Sequence, residues 1–189
     1  LVVGGVDLTT ASDKDLTQFR REKIGMVFQS LNLLPTLDIL ENACLPAFLA
    51  GKPAVRTREK GKDLLLWLGL ESRLNHLPAQ LSGGEMQRTA IARALINDPD
   101  IIMGDEPTGN HDSYNADNVF EVFRTLSHEK GMSLLVVTHD LDFAEKTDKH
   151  DQERNYDNGC LLVPATVLAG YRLYIAGDEP EQGQAGINQ

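Results

Sequence analysis

The 189-residue chain is 41% hydrophobic, enough for one globular domain with a sizeable core and too short for a second full domain. A formal net charge of -10 argues against nucleic acid or an anionic membrane surface as the main partner, because both require a basic face, and leaves room only for a local basic patch. The two cysteines, Cys44 and Cys160, have no further ligand at metal spacing, which excludes a zinc site or a disulfide framework and fits a reduced, cytoplasmic setting.

In chain order, Leu1 to Val3 is a short apolar run, Gly4-Gly5 a turn, and Val6 and Leu8 continue an edge strand. Ser12 is a cap for a helix to about Arg21, with Leu16 and Phe19 on one face. Ile24 to Phe28 is nearly continuous apolar sequence, expected to be a strand buried on both faces and ending in the polar amide of Gln29. From Thr36 the pattern is helical: a helix capped by Thr36 runs to Leu45, Pro46 breaks or restarts it, and Gly51-Lys52-Pro53 ends the segment. A second helix runs from about Thr57 to Leu68, with Leu64, Leu65, Trp67 and Leu68 as a packing patch closed by Gly69.

Leu81-Ser82-Gly83-Gly84-Glu85-Met86-Gln87-Arg88 reads as a helix start. Ser82 and Glu85 have capping-box spacing, and Met86, Ala90, Ile91, Ala94 and Leu95 follow at helical period. The glycines permit a close approach to the helix N-terminus, whose free N–H groups and dipole favour an anion. After the turn Asp98-Pro99-Asp100, the strand Ile101 to Gly104 delivers Asp105 and Glu106, an acid pair able to hold Mg²⁺ and to orient a water. A helix from about Asn115 to Glu129 carries Val119, Val122, Phe123 and Leu126 on one face. Ser133 to Val137 is then a buried strand that delivers Thr138-His139-Asp140. This alternation predicts an α/β fold with a mainly parallel sheet. Gln29, Asp105, Glu106 and His139 all follow strands, so they share the carboxyl edge where open α/β folds place ligands.

The segment 81–88 together with 101–108 resembles the signature sequence and Walker B segment of ABC-type ATPases. Arg20 to Gln29, Leu33-Leu34-Pro35-Thr36-Leu37 and Glu41-Asn42 resemble the ATPase subunits of lipoprotein-release and macrolide-export type transporters. The resemblance implies a P-loop NTPase-like core over residues 1–163, with a small helical subdomain inserted at about 30–76. It also implies ATP and Mg²⁺ as ligands, a second ATPase subunit, and integral membrane subunits that hold the protein on the inner face of the membrane. Asp105 and Gln29 are then expected at the metal, Glu106 and Gln29 at the attacking water, and His139 at the γ-phosphate. Ser82, Gly83, Gly84 and Gln87, with Asp112 in the loop after Walker B, are expected to act across the dimer. His111 departs from the leucine usual in that loop.

The mechanism needs a G-x-x-x-x-G-K-[ST] loop, and the sequence holds none: Gly51-Lys52 and Gly61-Lys62 are followed by Pro53 and Asp63. The chain, beginning at Leu1, is therefore read as lacking its front end. The alternative is a truncated, non-catalytic remnant that cannot hydrolyse ATP alone. The resemblance fades after Asp148; Asn158-Gly159 is the remaining hairpin-turn signal, and Leu161 to Tyr174 adds a strand or packs loosely. Residues 164–189 are read as a divergent tail, disordered over its Gly-, Glu- and Gln-rich end.

Overall fold

The structure, a computed structural model, describes residues 2–3, 6–7, 9–105, 113–130, 132–138 and 160–164. Strands β1 (Val2–Val3) and β2 (Val6–Asp7) pair antiparallel. Helix α1 (Asp13–Lys23) starts at the Ser12 cap, whose hydroxyl accepts from the Asp15 N–H while the Asp15 carboxylate accepts from Ser12. Acids in its first turn and Arg20, Arg21 and Lys23 in its last match the helix dipole.

The central sheet is parallel throughout. It comprises β3 (Ile24–Val27), β4 (Ile101–Asp105), β5 (Ser133–Thr138) and β6 (Cys160–Pro164), in the order β3-β4-β5-β6. Contrary to the expectation of burial on both faces, Gly25 and Val27 are buried in β3 and Ile24 and Met26 are half-buried, and among the described residues β3 is an edge strand. Its covered face is close to helix α4 (Gly83–Leu95): a Cβ on Gly25 would come within 2.6 Å of both the Ala94 carbonyl oxygen and Ile102 Cδ1. Residues 160–164, where the sequence leaves a strand or loose packing open, form a strand parallel to β5.

Two helix boundaries differ from the sequence reading. Helix α2 (Ile39–Leu49) is capped by Asp38, not Thr36: Asp38 Oδ1 accepts from the Glu41 N–H at 2.7 Å and Glu41 returns a carboxylate to the Asp38 N–H at 3.2 Å. Pro46 lies inside α2 without ending it. An interior proline costs about 3 kcal/mol, but full burial of one side chain such as Ile39 recovers about 1.5–3 kcal/mol. Ala43, Cys44 and Ala47 are buried on the same helix, so packing prevails. Helix α3 (Ala54–Trp67) begins directly after Pro53 instead of at Thr57. Leu65 and Leu68 are buried as expected, whereas Trp67 is 40% exposed and lies outside that packing patch.

One hydrophobic cluster joins the sheet to the helices. Val27, Ile102, Leu134 and Val136 from the strands meet Ile39, Leu65, Leu70 and Ile91 from the helical segments. Val119, Phe123 and Leu126 of α5 (Ser113–Lys130) belong to the same cluster, as the predicted face requires. The helices between β3 and β4 therefore share their core with the sheet, which fixes where α4 sits relative to the strand ends.

Candidate functional site

The carboxyl edge of the sheet carries the first group of predicted residues. Because β3 and β4 are parallel with Val27 opposite Gly104, Asp105 at the end of β4 and Gln29 just beyond β3 emerge from the same edge. Both are exposed. An exposed carboxylate beside an amide is a hard-oxygen set suited to Mg²⁺, which keeps several waters and takes few protein ligands. Among the described residues no group of three or more His, Cys, Asp or Glu is placed to hold a metal. β5 ends at Thr138 on this same edge. Glu106, His111, Asp112 and His139 lie outside the described residues.

The turn after Gln29 is held from a distance. Leu31 and Asn32 both have positive φ, 57° and 47°, and their carbonyls accept from Arg93 of α4 at 2.5 and 2.6 Å. Burial around Arg93 disfavours its charge and lowers its pKa from the ordinary value. Next along the chain, the buried Asn42 side chain accepts from the Leu34 N–H at 2.8 Å and donates to the carbonyls of Leu34, Leu37 and Asp38 at 2.9–3.0 Å. Asn42 entered the sequence reading as part of the family resemblance and not as an anchor, and Arg93 did not enter it at all. Arg93 stands between the buried Ala92 and Ala94, and a cation inserted into that apolar stretch was the available signal.

The N-terminus of α4 carries the second group. Ser82 caps the helix: its N–H donates to Glu85 Oε2 at 2.8 Å and its hydroxyl accepts from the Glu85 N–H at 3.3 Å. Glu85 Oε1 accepts from Arg73 Nε at 2.9 Å, where Arg73 ends the short 3₁₀ turn Glu71–Arg73. The Ser82 N–H, then Arg73, hold the Glu85 carboxyl down to about 2 from 4.5. First-turn N–H groups have no intrahelical acceptor. The box engages those of Ser82 and Glu85 and leaves those of Gly83 and Gly84 open; Gly84 is buried, so the half-buried Gly83 is the one near the surface where an anion would meet the helix end. Ser82 is exposed and Gly83 half-buried, within reach of an incoming group. Gln87, grouped with them by sequence, is instead 1% exposed, and neither of its amide atoms has a partner among the described residues.

The two groups sit on one connected frame. α4 presents its capped N-terminus at one end and, through Arg93 near the other, fixes the turn that carries Gln29.

Comparison with known proteins matches this arrangement. Residues 2–109 match the model of the family described as ABC transporter. An uncharacterized ABC transporter ATP-binding protein of Thermotoga maritima is 49% identical over 146 residues, covering 77% of this chain and 62% of that protein. The lipoprotein-releasing system ATP-binding protein LolD of Nitrobacter winogradskyi is 44% identical over 147 residues, covering 78% and 63%. Among solved structures, the ATP-binding cassette MJ0796, described as a dimer in a post-hydrolysis state bound to ADP and Pi, is 39% identical with a TM-score of 0.66, covering 76% of this chain and 63% of that one. The chain thus spans under two thirds of the length of these relatives. With the fold, the strand-edge acid and the capped glycine turn all in agreement, this chain belongs to the ABC transporter family and has the α/β fold of its ATP-binding cassettes.

Proposed function

We propose that the protein is an ATP-hydrolysing subunit of an ABC transporter, acting as a dimer in which each nucleotide is shared between two copies. The observation that carries this is the presence of two complementary half-sites on one chain: oxygen ligands at the carboxyl edge of β3 and β4, and open N–H donors at the N-terminus of α4.

In this reading Asp105 and Gln29 hold Mg²⁺, which when bound supplies charge neutralisation at the phosphates. Glu106 polarises the attacking water, Gln29 helps to orient it, and His139 donates to the γ-phosphate. Ser82, Gly83 and Gly84 clamp the phosphate of a nucleotide held by the other copy, with Asp112 in the loop that meets that copy. Gln87 supports the clamp from inside α4. Closing and reopening of the dimer drives integral membrane subunits, which place the protein on the cytoplasmic face of the membrane. No described helix is long and apolar enough to cross a membrane itself. Leu49 and Val55, 71% and 72% exposed at the junction of α2 and α3 in the segment 30–76, offer an apolar surface for such a partner. Relatives named for lipoprotein release, including that of Nitrobacter winogradskyi, suggest lipoproteins as the transported class.

The test is Glu106→Gln in the full-length protein. Turnover should fall by at least about 100-fold while ATP traps a dimer visible by light scattering; unchanged hydrolysis would remove Glu106 from this role.

A further inference from the structure

Glu85 sets a carboxylate at the N-terminus of α4, the place where the preceding section puts a phosphate. The position is contradictory on electrostatic grounds. A helix N-terminus carries roughly half a positive charge, and one full negative charge beside it cancels that attraction and repels an incoming anion. Glu85 is not free to turn away, because Oε2 is bound to the Ser82 N–H at 2.8 Å and its side chain is only 18% exposed. Solvent therefore screens it incompletely.

The compensation comes from outside the helix. Arg73, twelve residues earlier and 41% exposed, donates Nε to Glu85 Oε1 at 2.9 Å. The pair leaves the capping geometry intact and brings the local charge close to zero.

We propose that Arg73 is a positioning residue for phosphate capture, acting through Glu85: it neutralises the cap carboxylate so that the Gly83 and Gly84 N–H groups still attract the anion. The inference rests on the proposed function of this helix end. A simpler role, an ion pair that merely braces the turn at 71–73 against α4, makes a different prediction, because a brace is lost whichever partner is removed. Neutralisation predicts that removing the carboxylate as well repairs the loss of the arginine.

The experiment uses the full-length protein carrying Arg73→Ala, Arg73→Lys, Glu85→Gln, and Arg73→Ala with Glu85→Gln. Half-saturating ATP, kcat and the thermal midpoint are measured for each. Arg73→Ala should raise half-saturating ATP by roughly tenfold, between the effect of one unpaired charge at short range in water and its effect near a protein surface, and lower kcat much less. Arg73→Lys, which keeps the charge, should recover most of the loss. The double variant should return to within about twofold of Glu85→Gln alone, the added charge term having been removed. The proposal is overturned if the double variant is as impaired as Arg73→Ala, or if Arg73→Ala matches the wild type. A wild-type protein that neither binds nor hydrolyses ATP would overturn the underlying functional reading instead, so the two failures are distinguishable.

Discussion

The N-terminus of α4 and the carboxyl edge of β3 and β4 are the two halves of the proposed site, and they are built in opposite ways. The helix end supports itself: Ser82 and Glu85 are three residues apart and satisfy each other, with one nearby arginine to balance the charge. The strand edge is supported from afar. Gln29 and Asp105 are exposed, and the turn beyond Gln29 depends on Arg93, 61 and 62 residues away from the carbonyls it binds. Asn42 ties down the following residues through backbone groups of Leu34, Leu37 and Asp38. A half-site made of local hydrogen bonds tolerates change around it, whereas one held by long-range anchors fails when an anchor fails.

The comparison breaks most sharply at Asn42. Asn42→Ala removes the partner of several backbone groups in a buried setting, and leaving such groups unsatisfied costs about 3 kcal/mol in total. Denaturant melts should show this loss, with weakened Mg²⁺-ATP binding as its functional trace. A loss under about 1 kcal/mol would mean that solvent or relaxation replaces these bonds and that the strand edge is less dependent on its anchors than described. Ser82→Ala at the local half-site should cost only about 1 kcal/mol, the usual value of an N-cap. A loss as large as that of Asn42→Ala would erase the distinction between the two regions.

The smallest effect concerns acid. The Glu85 carboxyl is held down to about 2 in the fold against 4.5 when free. Since the folded value is depressed, its stabilisation is fully present above pH 4.5 and is lost as pH falls from there toward 2. Glu85→Gln should therefore flatten the stability curve of the protein in that window: its deficit against the wild type is full at pH 7 and shrinks as pH falls from 4.5 toward 2. An identical acid limb in both proteins would show that other carboxylates dominate.

The same division explains what the sequence made legible. Ser12 and Ser82 were both readable as caps; Ser82 forms the box expected with Glu85, and Ser12 forms one with Asp15 that the sequence reading did not state. Asp38 carries the identical signal with Glu41, yet Thr36 two residues earlier competes for the role, and only the bonded geometry decides between them. Hydrophobic period placed β4, β5 and α5 well, since their faces follow from residue spacing. It overestimated β3, whose apolar run does not reveal that the strand lies at the sheet edge among the described residues. Trp67 misled for a related reason: a large apolar residue at helical spacing predicts burial, but the core is already filled by Leu65 and Leu68 on its helix. Arg73 and Arg93 were invisible as anchors, because their partners become neighbours only in the folded chain.

The most direct test of the central claim, that each site is shared between two copies, is complementation. Full-length protein carrying Asp105→Asn is mixed with protein carrying Ser82→Phe, each inactive alone, and ATP hydrolysis is measured after exchange of subunits. Shared sites predict recovery of about one quarter of the wild-type rate, because about half of the dimers are mixed and each mixed dimer holds one intact site of two. Mixtures that remain as inactive as their components would show that both half-sites serve the same chain, and would contradict the account.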